Sequence, residues 1–167
     1  MTAIDISESM DIRKAFSTFP SGVAALGAVV DNAPKGLVAS TFTAGVSLDP
    51  PLVSVAVQNS STTWPFLRRA DRIGVSVLGI DQEPICRQLA SKKPDKFDLI
   101  SYTTPGGKAV RLPGCVLWLE CSLFVEYPAG DHTVALLEVH YADMDIEKSP
   151  LIFHESTFKS LDPTLSL

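Results

Sequence analysis

The chain has 167 residues, a formal net charge of −5, and 46% hydrophobic against 20% charged residues. A single domain of this length buries roughly 68–70% of its unfolded surface and needs neither metal nor disulfide to fold. The acidic balance disfavours a nucleic-acid role, which needs a basic face, and the uncharged windows Ala15 to Val30 and Pro50 to Leu67 are broken by Pro, Gly, Ser, Asn and Thr, well short of the roughly 18 apolar residues of a membrane span.

Asp5, Glu8 and Asp11 precede any basic residue, the wrong order for a signal peptide, so a cytoplasmic location is expected. Met10, Phe16 and Phe19 alternate with charged and small residues over 8–19 in an amphipathic helical pattern that ends at Pro20-Ser-Gly22. Val23 to Val30 reads as a strand entering a hairpin at Asp31-Asn-Ala-Pro34, and Leu37 to Thr43 as the returning strand. Leu52 to Val57 is a further buried strand. Ser61-Thr-Thr-Trp64-Pro65 has the form of a helix start, with a hydroxyl cap and proline in the first turn.

Ile73 to Leu78 is the next predicted strand and Asp81 to Leu89 the next helix, continuing toward Lys92-Lys-Pro-Asp-Lys96. Beyond Pro105-Gly-Gly107, the segments Val116 to Tyr127 and Thr133 to Met144 read as long strands joined through Pro128-Ala-Gly-Asp-His132. Leu151 to His154 is a last short strand before a tail. Many short strands with few helices predict a mainly β, Greek-key-like barrel in one domain over residues 1–167, with a core from about 10 to 161. Gly-x-Gly-x-x-Gly between a strand and a helix is absent, so a Rossmann site lacks its fingerprint.

Cys86, Cys115 and Cys121 are odd in number and form no Cys-x-x-Cys pair, the pattern of buried structural thiols in a reducing compartment. His132 and His140, eight residues apart on a predicted strand, share a face but have no carboxylate pair beside them, so no metal is expected. Small hydroxyl side chains concentrate in two stretches, Gly36 to Pro51 and Gln58 to Trp64, each beside a strand-like run. Such stretches offer many hydrogen bonds to a planar, phosphate-bearing ligand. The plainer reading of the same residues is a capped helix and a solvated lysine face.

Ala39-Ser-Thr-Phe-Thr43, Ser47-Leu-Asp-Pro-Pro51, Ser60-Ser61 with Trp64, and Gly130-Asp-His132 occur in an order that resembles the flavin reductase-like family, from about Met10 to Leu161. The resemblance implies an FMN-binding split β-barrel that transfers a hydride from NADH or NADPH to FMN or FAD. It also implies a homodimer that supplies reduced flavin to a flavin-dependent monooxygenase. In that pattern Leu37, Val38, Ala39, Ser40 and Thr41 border the flavin ring, and Ser47, Asp49, Pro50 and Ser54 lie beside it. Ser60, Ser61 and Thr62 hold the phosphate, with Lys92, Lys93 or Lys96 adding charge, Asn59, Trp64 and Ser91 are further cofactor contacts, and Phe97 approaches the cofactor. Asp131 orients His132 toward the nicotinamide. The fold also includes flavin carriers and single-component flavin-dependent oxidoreductases, which remain alternatives. Ala24-Ala-Leu-Gly-Ala28 and Ala44-Gly45 are smaller than the family pattern, which predicts a widened pocket or room for a larger flavin.

Overall fold

A computed structural model describes residue 6 and residues 8–161. Helix α1 (Ser9–Ser17) precedes β1 (Ser21–Gly22), β2 (Ala24–Val30), β3 (Ala33–Ala39), β4 (Thr43–Leu48) and β5 (Pro51–Gln58). Next come α2 (Trp64–Leu67), β6 (Ile73–Val77) and a 3-10 turn at Ile80–Gln82 that runs into α3 (Glu83–Ala90). Two long strands, β7 (Leu117–Ala129) and β8 (His132–Met144), and two short ones, β9 (Ile152–His154) and β10 (Thr157–Lys159), complete the order.

Seven strands make one sheet in the order β3-β2-β6-β7-β8-β5-β4, and β1, β9 and β10 make a second. The meander β6-β7-β8 with β5 beside β8 is a Greek key. Both edge strands of the large sheet, β3 and β4, are consecutive in the chain and joined only by Ser40-Thr41-Phe42. Four residue steps span at most roughly 14 Å, so the sheet must curl until its edges are close. Among the described residues no ladder closes them, which leaves a barrel with one open seam.

Inward residues of β5 alternate as Val53, Val55 and Val57, and they pack with Leu26, Ile73, Val75, Leu119 and Leu137 in the barrel interior. A second cluster lies on the outer face, where Ala25 of β2 meets Leu78, Cys86, Leu89, Val110, Leu112 and Leu151. β2 is therefore covered on both faces, which accounts for its uninterrupted apolar run. All three cysteines are buried and unpaired. Burial pushes the thiols of Cys86 and Cys121 up to about 11 and about 12, so they stay protonated and unreactive at neutral pH.

The expectation that Ala24 to Ala28 widens a ligand pocket is corrected by what lies on it. Gly36, Gly27 and Gly74 are direct cross-strand neighbours on β3, β2 and β6. The chain at Lys108 to Leu112 crosses this row: Val29 N–H donates to Lys108 O at 2.8 Å, and Val110 N–H to Gly27 O at 3.0 Å. Small side chains here admit a covering segment and not a ligand. Ala44-Gly45 lies instead on the exposed edge strand β4, where Gly45 has φ +71° and the register with β5 shifts.

Three further expectations change. The returning strand is Ala33–Ala39 and not Leu37 to Thr43, because Asp31 and Asn32 both take positive φ and close a two-residue turn. Pro34 is tolerated because β3 is an edge. β1, β4 and β10 are strands that the apolar pattern did not predict: β1 is two residues of the Pro20-Ser-Gly22 stretch, β4 is mostly exposed, and β10 follows a second positive-φ pair, Glu155-Ser156. Helix α1 forms, yet its apolar residues do not bury against this chain, with Met10 80% and Phe16 74% exposed. Its C-terminal end is held by Glu155 N–H on Ser17 O at 2.7 Å and by His154 Nε2 on Thr18 O at 3.1 Å.

Candidate functional site

The seam places two predicted segments side by side. Thr41 Oγ1 donates to Ala56 O at 2.8 Å and accepts from Ala56 N–H at 3.2 Å, which pins the β3–β4 crossing to β5 two residues before Gln58. Thr41's hydroxyl is thus committed to main chain, while the Ser40 hydroxyl beside it is exposed and makes no bond among the described residues. Leu37 is buried, while Val38 and Ala39 are half-buried. Behind them the Phe97 ring lies against Gly36, where an added Cβ would come within 2.9 Å of it. Phe97 also packs edge-on to Tyr102, centroids 5.6 Å apart. It thus supports the β3 wall from the outer cluster.

At the end of β5, Asn59 ties together two motifs that are more than seventy residues apart. Its N–H donates to Asp131 O at 2.9 Å, its Nδ2 donates to Gly130 O at 3.2 Å, and its Oδ1 accepts from Thr133 Oγ1 at 2.9 Å. Gln58 and His132 are register partners of β5 and β8. The hydroxyl loop Ser60 to Thr62 and the Gly-Asp-His turn are consequently one surface. Gly130, at φ +63°, supplies the left-handed position that the turn needs.

Asp131 Oδ1 lies 2.7 Å from His132 Nδ1, the orienting contact expected of this pair. The hydrogen bond from His132, and then its charge, hold the Asp131 carboxyl below the usual range. Asp131 is therefore ionised at neutral pH and holds the imidazole through Nδ1. Among the described residues Nε2 has no hydrogen-bond partner and can meet a ligand. His140 is engaged elsewhere, with Nε2 2.7 Å from Ser122 Oγ.

Ser61 Oγ accepts the first N–H of α2, Trp64's, at 3.1 Å, while the cap position itself is Thr63, whose side chain makes no capping bond; the Ser61 O–H can still donate. Helix α2 has four residues, too short for a substantial macrodipole, so any anion here is held by individual donors. Among the described residues the N–H groups of Ser60, Thr62 and Thr63 have no main-chain partner. That donor set fits a phosphate. Trp64 is buried, and its Nε1 donates to Glu126 Oε1 at 2.7 Å, which ties α2 to β7. Arg68 pairs with the other oxygen of Glu126. A cleft of about 360 Å³ opens here, lined by Asn59, Ser61, Trp64, Arg68, Glu126 and Tyr127 among others.

Other predicted contacts lie apart from this cluster. Ser47, Asp49 and Pro50 belong to the β4–β5 hairpin, where Leu48 pairs with Pro51 and the Asp49–Pro50 bond is cis. Seven strand residues separate that hairpin from Gln58, roughly 23 Å. Ser54 pairs with Thr43 between the two ends. Ser91 caps α3, its Oγ accepting Lys93 N–H at 3.4 Å, and Lys92 is exposed on the loop that returns Phe97 to Gly36. Arg68, Glu126 and Tyr127 were missed by the sequence reading. One signal was available: a buried tryptophan N–H needs an acceptor, and Glu126 sits in an otherwise apolar stretch.

The open-seamed barrel thus brings an oriented histidine and a loop with free N–H donors onto one surface. The flavin reductase like domain family matches residues 16–162, and the chain belongs to that family. It is 34% identical over 147 residues to a flavin reductase of Pseudomonas putida, covering 87% of this chain and 86% of that protein. It is 31% identical over 161 residues to the flavin-dependent monooxygenase reductase subunit HsaB of Rhodococcus jostii, covering 94% and 82%. The structure of Streptomyces globisporus NADH:FAD oxidoreductase SgcE6 in complex with NAD and FAD fragments superposes with a TM-score of 0.93 at 30% identity, covering 99% of this chain and 100% of that one.

Proposed function

We propose that this protein is a cytoplasmic homodimer that reduces FMN or FAD with NADH or NADPH and passes the reduced flavin to a flavin-dependent monooxygenase. The observation that carries the reading is Asn59, which joins the anion-binding loop and the Gly-Asp-His turn into one surface. A bound flavin supplies the hydride acceptor, so the protein needs no nucleophile of its own. Its residues orient and tune. Ser40 donates toward the polar edge of the ring, Ser60 to Thr62 hold phosphate, and His132, fixed by Asp131, meets the nicotinamide.

Dimerisation is supported by apolar surface that this chain leaves open, on α1 and at Leu48 of the β4–β5 hairpin. In such a dimer the Ser47, Asp49 and Pro50 hairpin of one copy borders the flavin of the other, which accounts for its distance from Asn59 within a chain. Membership of monooxygenase systems among the relatives supports the partner. No helix among the described residues is long and apolar enough to cross a membrane.

Replacing His132 with alanine separates the roles. The KM for NADH is expected to rise about five- to tenfold, the loss of roughly one hydrogen bond, while flavin affinity stays within about twofold. Steady-state kinetics and flavin titration on the same preparation measure both. An unchanged nicotinamide step removes His132 from the site.

A further inference from the structure

We propose that His154 is a positioning residue for the nicotinamide side of the site: the β9–β10 turn seats α1 so that Arg13 stands beside the Asp131–His132 pair. The inference rests on the reading of that pair as the group that meets the nicotinamide. Burial does not hold α1 in place. It has nine residues, none of them buried, and an isolated helix shorter than about 12–15 residues is marginal in water. Its position is therefore set where its C-terminal end is tied. A helix leaves its last carbonyls without partners, and here Ser17 O and Thr18 O take theirs from the hairpin, Glu155 N–H at 2.7 Å and His154 Nε2 at 3.1 Å.

The His154 imidazole is committed on both nitrogens. A carbonyl only accepts, so Nε2 carries the proton that binds Thr18 O, and Nδ1 accepts from the Lys159 ammonium at 2.9 Å. The Glu155 carboxylate, 3.6 Å from Lys159 Nζ and 3.7 Å from His154 Nδ1, balances that ammonium. The turn thus presents one fixed N–H to the helix. Where the helix then sits follows from topology. Six residues after Thr18, Ala24 pairs with Ala39 next to Ser40, and Thr41 is pinned to Ala56, two residues before Gln58, the register partner of His132. The end of α1 is consequently at the mouth of the seam. Asp131 there is 91% exposed at its side chain, with no protein wall around it. The hydrogen bond and charge of His132 hold its carboxyl down first, and the charge of Arg13 adds to them. Those two are the charged groups that act on the carboxylate, one from the turn and one from the helix.

His154→Ala, Arg13→Ala and the double variant test the assignment in the full-length protein, with NADH KM, kcat and flavin Kd read in parallel and thermal unfolding showing that each is folded. His154→Ala is expected to raise the NADH KM about three- to fivefold, the loss of one hydrogen bond, with flavin Kd within about twofold. His154→Gln, which keeps an N–H for Thr18 O, restores most of the loss. On the Arg13→Ala background the same His154→Ala substitution adds less than about twofold, because both residues act on Asp131 in series. In both single variants the acid limb of kcat/KM for NADH moves to higher pH, since Asp131 without its cation is protonated sooner as pH falls. Should His154→Ala not fold, Lys159→Ala frees the ring and carries the same expectations. An unchanged NADH KM, as for a helix seated by a second copy of the chain, overturns the proposal; so do equal losses on both backgrounds, or a parallel loss of flavin affinity. A His132→Ala protein with an unchanged nicotinamide step fails the reading of the Gly-Asp-His turn itself, a result distinct from any of these.

Discussion

Gly74→Ala is expected to destabilise the protein by at least about 3 kcal/mol, a fall in Tm of roughly 6–12 °C for a chain of this length. The reason is a backbone collision. A Cβ at position 74 would stand 1.9 Å from Val110 O and 2.7 Å from Val110 C, and neither atom can rotate away. Relief would require lifting the Lys108 to Leu112 segment off β2 and β6. That would disturb the Val110 N–H bond to Gly27 O, the 3.1 Å bond from Leu112 N–H to the buried Ser76 hydroxyl, and the 3.2 Å bond from Trp118 Nε1 to Val110 O. Gly27→Ala is the internal control, since its Cβ would meet the Val110 side chain at 3.0 Å and should cost about 1–2 kcal/mol. Urea unfolding of both variants measures the difference. A Gly74→Ala protein within 0.5 kcal/mol of wild type, on the order of a neutral surface change, contradicts the packing described.

Asn59→Ala is the second large effect, and it falls on function more than on fold. The substitution removes the bonds to Gly130 O and Thr133 Oγ1 and keeps the N–H bond to Asp131 O, a stability loss of about 1–2 kcal/mol. Because the same side chain aligns the phosphate loop and the Gly-Asp-His turn, flavin Kd and nicotinamide KM are expected to rise together. The combined fall in kcat/KM is about 10²-fold, the scale of a misplaced positioning group. Asn59→Asp sharpens the test: it keeps an acceptor for Thr133 but sets a carboxylate beside the anion loop. Flavin affinity should fall further than in Asn59→Ala, and added salt should recover part of the difference. A change in only one of the two constants would mean that the two motifs are not coupled through Asn59.

Much of the fold follows from the apolar pattern, since β2, β5, β6, β7 and β8 are runs or alternations of buried residues at strand length. The strands that escaped it, β1, β4 and β10, are very short or mostly exposed. β4 is an exposed edge strand, and β10 is turned by Glu155-Ser156, residues that carry no strong turn signal although they take the same positive φ as Asp31-Asn32. The glycine row was equally hidden. Gly36, Gly27 and Gly74 are scattered along the chain, and only the register of β3, β2 and β6 reveals that they form a bed for Phe97 and Val110.

At the site, the contact between neighbours Asp131 and His132 was readable because both lie in one short motif. Asn59's three long-range bonds were not, because a polar residue after a strand carries no mark of a partner seventy residues on. Thr41 and Trp64 each belong to a recognised motif, yet the side-chain donor each carries is committed within the chain, to Ala56 O and to Glu126 Oε1. Motif order locates the segments of the site. Which donor remains free is decided by packing.

The most direct measurement is nicotinamide consumption by purified protein, followed at its absorbance band with NADH and NADPH, before and after adding FMN or FAD. The account predicts that at least one pairing gives rapid loss of absorbance that depends on added flavin and saturates with it. Zero turnover with both flavins and both nicotinamides, by protein shown to be folded, would contradict it.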